Sequence, residues 1–255
     1  MSEQRDLAPV LTITFTTGTV FPSTDGFAVA LSRLLAATND VILLQKLTII
    51  SRAQAGAATG PDKRILNNET GYFVRMLFGH LYEAGISFRG LDENHQARID
   101  AIVTSDDQAK EALSFLRKVY GDVSDSGFYK TVLGCVRNLA GFHYKEATFI
   151  QGLEALKEAD STIVISEHIG FSRYVVSDVI MTAKVIECVG GEEQFQRAVG
   201  IAHELADALA IGVTHLLGDL LADQKIATRQ ERGEVHIPPD IAMTKRRLDH
   251  ERRKG

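Results

Sequence analysis

Arg137, Asn138 and His143, within the run GCVRNLAGFHYKE, are the side chains best placed in this chain to do chemistry together. An imidazole titrates near neutrality, so His143 can give or take a proton in a reaction. A guanidinium presents a planar fork of donors, so Arg137 can hold phosphoryl oxygens and stabilise the charge that builds on them. Asn138 can orient the arginine or contact the phosphate itself. Together they offer a proton-transfer group, a cation and an amide at one place.

The spacing sets a geometric condition. Six residues on a regular helix leave Arg137 and His143 about 120° apart. Gly141 offers a bend that turns His143 back; alternatively, two copies of the segment face each other across a dimer. Similar Arg-to-His spacings occur at Arg75–His80, Arg89–His95, Arg197–His203 and Arg229–His236. Arg75 and Arg197 precede apolar residues inside apolar helical runs. Arg89–His95 reads as a Gly/Asp/Asn loop, and Arg229–His236 sits in the tail. Only Arg137 is followed by a polar residue at the end of a strongly patterned helix.

Other clusters are weaker. His203 with Asp207 and His215 with Asp219 each stand four apart on one helix, which suits helix-surface hydrogen bonds. No Glu-x-x-His or HExxH accompanies them, so no metal site is expected. His80 with Glu83, near Arg75 and Tyr82, is expected to be an ordinary intrahelical pair, the alternative being that it shares a cleft with Arg137. Glu167-His168 lies in a stretch of ambiguous structure. Neither GxGxxG nor GxxxxGK[ST] is present, and no cofactor is expected.

The elements that must position these residues are mostly helical. Residues 10–21 alternate as a strand, Leu11, Ile13 and Phe15 against Thr12, Thr14 and Thr16. Its partner is open: its own return past Gly18, or another subunit. Apolar residues at three- and four-residue steps then predict helices over 27–54, with a break near 38–40, and over 65–85. A loop is expected at 53–63, and a polar connection through Asn94 and on toward Asp106. Further helices are expected over 107–120, from Phe128 toward Phe142, and over 145–159, 173–188 and 192–222. The reading is an all-α, multi-helix bundle: an N-terminal extension with a short strand (1–25), a helical domain (26–222) and a basic C-terminal tail (223–255). Residues 225–255 carry a net charge of +4 and the rest −9. The tail reads as a weakly ordered or docked extension; the acidic body disfavours strong nucleic-acid binding, which the tail could offset.

Composition excludes several classes. With 45% hydrophobic and 24% charged residues the chain is globular in kind. Cys135 and Cys188 are isolated in apolar runs and read as buried free thiols, which fits a reducing compartment. There is no basic-then-apolar leader and no uninterrupted apolar run of membrane-spanning length, so a cytoplasmic protein without membrane contact is expected.

The segment RNLAGFHY resembles the signature of the HEPN superfamily, helical proteins that include many ribonuclease toxins: an Arg, a polar residue, then a His. The resemblance covers Arg137, Asn138, His143 and the helical layout around them, not the strand or the tail. It implies a four-helix bundle with additional helices, usually a homodimer, acting on RNA as a metal-independent endoribonuclease in a toxin–antitoxin or defence system, with an antitoxin or other partner protein restraining it. Arg137, Asn138 and His143 would be catalytic, with Tyr144 and Lys145 assigned to binding. Members controlled by a nucleotidyltransferase often carry Tyr two positions after the His. Here Tyr144 follows His143 at once and Lys145 takes that place. The alternative is a non-catalytic helical binding or scaffold protein in which the same residues are structural.

Overall fold

A computed structural model describes residues 7–124, 127–138, 146–155, 175–223 and 229–236. Among them the chain is overwhelmingly helical, with β1 (Leu7–Thr14), α1 (Thr17–Val20), α2 (Gly26–Ala57), α3 (Gly60–Ser105), α4 (Asp107–Gly121), a π-helix (Tyr129–Gly134), α5 (Glu146–Ala155), α6 (Val175–Cys188), α7 (Glu192–Asp223) and β2 (Arg229–His236). The all-α multi-helix bundle with a short N-terminal strand is therefore the architecture of the molecule.

Helix α2 starts where Asp25 accepts a hydrogen bond from the Phe27 amide at 2.9 Å. It then buries Phe27, Leu31, Leu34, Thr38 and Val41 along one stripe. The break expected near residue 38 is absent. The Thr38 hydroxyl donates to the Leu34 carbonyl at 2.8 Å, so this buried polar group is satisfied within the helix. The expected loop at 53–63 shrinks to a sharp turn, and Pro61 occupies the first turn of α3, where a missing N–H costs nothing.

Helix α3 organises the bundle, packing against α2, α4, α6, α7 and the π-helix. It buries Val74, Leu77, Phe78, Leu81, Ala84, Phe88 and Leu91, then Ile99 and Ile102. The polar connection expected after residue 85 is helical as well, and so is the supposed loop at Arg89–His95. Sparse apolar residues hold one face of this stretch, while Glu93, Asn94 and Gln96 are exposed. The chain departs from helical geometry only at His95 (φ −135°, ψ 27°). There the His95 ring meets Phe27 edge-on at 5.4 Å, and the Arg98 guanidinium carbon lies 4.1 Å from the Phe27 ring centre.

Asp106 opens α4 by accepting from the Ala109 amide at 3.0 Å. Arg117 then ties α4 to α3 through Asp92 at 2.6 Å and Asp100 at 2.7 Å. Opposite, α7 buries Ala202, Leu205, Leu209, Val213, Leu216 and Leu220. Averaged over 18 residues, α2 and α7 are long and apolar enough to cross a membrane, with mean hydropathy of 1.6 and 1.5. Part of that apolar surface lines the core.

Two expectations about the ends and the cysteines are corrected. β1 does not pair with its own return past Gly18; it runs antiparallel to β2, from Leu7 opposite His236 to Thr14 opposite Arg229. The expected strand at 10–21 stops at Thr14, and residues 17–20 form a helical turn. Of the two readings of the tail, weakly ordered or docked, residues 229–236 follow the second, as the strand that pairs with β1. Cys135 and Cys188 are joined as a disulfide and are not free thiols. Their Cα atoms are 6.4 Å apart, within the range that a disulfide spans.

Candidate functional site

The π-helix packs its one aromatic side chain, Tyr129, directly on α3. Gly85 makes this possible, because a Cβ there would fall 2.6 Å from ring atoms of both Tyr120 and Tyr129. Tyr129 stacks on Tyr82 with the ring centres 4.8 Å apart and 1° between planes, while Tyr120 meets Tyr129 edge-on at 5.7 Å. The Tyr120 hydroxyl donates to the Leu81 carbonyl at 3.0 Å, so this fully buried ring carries a satisfied polar end. Burial pushes its hydroxyl pKa well above the ordinary range.

Two arginines join this pair of stacked rings. Arg89 places its guanidinium carbon 4.6 Å from the Tyr129 ring centre and donates to the Tyr129 hydroxyl at 3.1 Å. Tyr129 in turn donates to the Tyr82 carbonyl at 3.4 Å. Burial raises the Tyr129 pKa to about 12, although Arg89 pulls the other way. The Arg89 Nε is buried with no hydrogen-bond partner among the described residues.

Arg137 lies at the other ring. Its guanidinium carbon is 5.7 Å from the Tyr82 ring centre. Its Nε donates to Glu83 Oε1 at 3.2 Å, and its Nη1 donates to Asn138 Oδ1 at 3.3 Å. The side chain stays 37% exposed. A carboxylate, an amide oxygen and an aromatic face thus steer a guanidinium that still reaches solvent. This arrangement suits the capture of an anionic oxygen.

Arg137 and Asn138 are thereby brought together. His143, Tyr144 and Lys145 lie outside the described residues, as do Gly141 and the Glu167-His168 pair. Of the two readings of His80 and Glu83, an intrahelical pair or a share in the Arg137 cleft, Glu83 follows the second. Glu83 serves Arg137, whereas His80 turns to Asp40 of α2 at 3.4 Å. Arg75 is buried and pairs with Asp178 of α6 at 2.7 Å and with Thr182 at 3.0 Å. Tyr82 stood out only as a neighbour of His80 and Glu83, and Arg89 and Tyr129 did not stand out as part of this cluster. The signal for Tyr82 and Arg89 was their seven-residue spacing, which puts them on one face of α3.

The paired His and Asp residues of α7 also part company. Asp207 accepts from Gln45 of α2 at 2.9 Å, while His203 Nδ1 is buried without a hydrogen-bond partner among the described residues. His215 faces Asp106 at 3.7 Å, and Asp219 faces Arg98 at 3.7 Å. Long-range packing has replaced the expected helix-surface bonds. Burial, opposed by Asp207 and assisted by Arg52, depresses the His203 pKa. Among the described residues no three His, Cys, Asp or Glu side chains gather as a metal site.

Comparison of the chain with protein-family models, with curated proteins and with solved structures finds no match.

Proposed function

We propose that this chain is an HEPN-like, metal-independent endoribonuclease of a bacterial toxin or defence system. The observation that supports the reading is Arg137: oriented by Glu83 and Asn138, stacked near Tyr82, and still open to solvent. In this role Arg137 binds the scissile phosphate and stabilises its developing charge. Asn138 positions the guanidinium, and His143 takes the proton from the 2′-hydroxyl or gives one to the leaving 5′-oxygen. Tyr144 and Lys145 contact the RNA. A homodimer presents two such segments to one cleft, a neutralising partner protein restrains them, and the protein works in the cytoplasm.

The test is cleavage of RNA in EDTA by the full chain, with Arg137→Ala and His143→Ala alongside. The expected result is cleavage that persists in EDTA and falls by about a hundredfold or more in each variant. Cleavage that neither substitution alters, or none by the purified protein with its natural partners, defeats the reading.

A second reading has its own support. The Arg137–Glu83 ion pair links the segment just after the π-helix to α3, which is what a purely structural arginine does. In that case the chain is a non-catalytic helical binding or scaffold protein, and Arg137→Ala changes stability without changing any RNA cleavage.

A further inference from the structure

Far along α3 from Arg137, a cleft of about 360 Å³ opens where the second half of α2, the start of α3 and the first turns of α7 meet. Some 16 residues, or about 24 Å of helix, separate Asn67 at this cleft from Glu83. Its size falls within the range of small-molecule sites. Val74, Phe195 and Val199 supply apolar wall, while Arg52, Lys63 and Asn67 supply polar groups. No Asp or Glu lines it, although the chain carries 33 acidic residues against 28 basic ones. Arg52 and Lys63 form no ion pair among the described residues. An exposed lysine or arginine alone means nothing; two cations that line one apolar-walled hollow in an acidic protein, neither in an ion pair among the described residues, define a ligand chemistry.

Charge decides which anion fits. A carboxylate balances one cation, whereas a phosphate monoester carries close to two negative charges at neutral pH and balances both. An arginine fork and a lysine point charge are also the usual pairing on phosphate. The apolar wall favours a flat, weakly polar body over a sugar covered in hydroxyls. We propose that this cleft binds a phosphate monoester with a planar body, as in a nucleoside monophosphate, with Arg52 and Lys63 on the phosphate and Val74, Phe195 and Val199 against the ring. The site is independent of the RNA-cleavage reading. His203 provides a built-in reporter: it stands one turn from Val199, and the charge of Arg52 helps to depress its pKa. An anion that neutralises Arg52 relaxes that effect.

The experiment is calorimetric titration of the full chain with adenosine 5′-monophosphate, adenosine, ribose 5-phosphate and inorganic phosphate. The monophosphate is expected to bind saturably with a dissociation constant below about 1 mM. The other three probes should bind at least about tenfold more weakly. Arg52→Gln and Lys63→Gln should each weaken the monophosphate by about tenfold while keeping the wild-type melting temperature. The His203 pKa, followed by NMR, should rise on saturation. The proposal is overturned by absence of saturable binding, or by binding that survives the double variant. It is equally overturned if ribose 5-phosphate or inorganic phosphate binds as tightly, or if Arg137→Ala and not Arg52→Gln abolishes binding.

Discussion

Arg75 of α3 holds Asp178 of α6 at 2.7 Å, with the arginine side chain only 7% exposed. The same guanidinium donates to Thr182 and to the Asp178 carbonyl, so the buried charge is well satisfied. Removing one partner strands the other charge in a poor solvent. Asp178→Ala should therefore cost about 3 kcal/mol in urea unfolding, whereas Arg75→Met with Asp178→Leu should recover most of that loss. A double variant as unstable as the single one contradicts this account.

Gly85 sets two effects against each other. Alanine is the better helix former by about 1 kcal/mol. Its Cβ, however, would press on Tyr120 and Tyr129 at 2.6 Å, and overpacking costs about 1–3 kcal/mol. The packing penalty should win, so Gly85→Ala lowers the urea midpoint. A raised midpoint would show that the two rings yield freely.

Glu83→Gln separates positioning from packing at the candidate site. Both side chains of the Arg137–Glu83 pair are over a third exposed, so its loss should change stability by less than about 1 kcal/mol. If Arg137 must be aimed, RNA cleavage should nevertheless fall by about tenfold or more. Unchanged cleavage would remove Glu83 from the site.

Acid should weaken the fold through His203. Its folded pKa lies below the ordinary value of 6.5, chiefly because burial disfavours the imidazolium. The unfolded chain then takes up the proton first. Stability from this residue is complete above pH 6.5, falls as the pH drops through that value, and levels off below the folded pKa. His203→Leu should show a smaller loss between pH 7 and pH 5 in denaturant titrations.

The Cys135–Cys188 link closes a loop across a sequence separation of 53. Chain-entropy reasoning gives it about 4 kcal/mol of stabilisation. Cys135→Ser, or reduction of the wild type, should lower unfolding free energy by that order. Thiol titration of the native protein should find no reactive sulfhydryl; two would return the cysteines to the free state their isolation suggests.

Much of the helical frame was legible because its signals are local. Asp106 followed by Leu113, Leu116 and Tyr120 announces α4, and the three- and four-residue steps from Phe27 announce α2. The continuation of α3 through Phe88, Leu91, Ile99 and Ile102 was not legible. Few apolar residues hold it, and its polar faces resemble a loop. β2 was hidden for a related reason: RQERGEVH is polar at most positions, and only β1 beside it makes it a strand. At the candidate site Arg137 and Asn138 stood out by type, but Glu83 did not. Its partner is 54 positions away, and intrahelical neighbours such as His80 compete for it on paper. Nor does spacing reveal that the two cysteines meet, since helix packing alone sets their separation.

The β1–β2 ribbon bears on how the chain is made, not only on how it rests. β1 leaves the ribosome more than two hundred residues before β2 exists to receive it. At typical rates of synthesis, roughly 5–20 residues per second, that delay is on the order of ten to forty seconds. Throughout it, the uncharged run LAPVLTIT exposes strand edges that another nascent chain could pair with. Pro9, which cannot donate to such a ladder, interrupts that edge. Part of the aggregation hazard of this protein thus belongs to its biosynthesis, and narrows when its second strand covers one edge of the first.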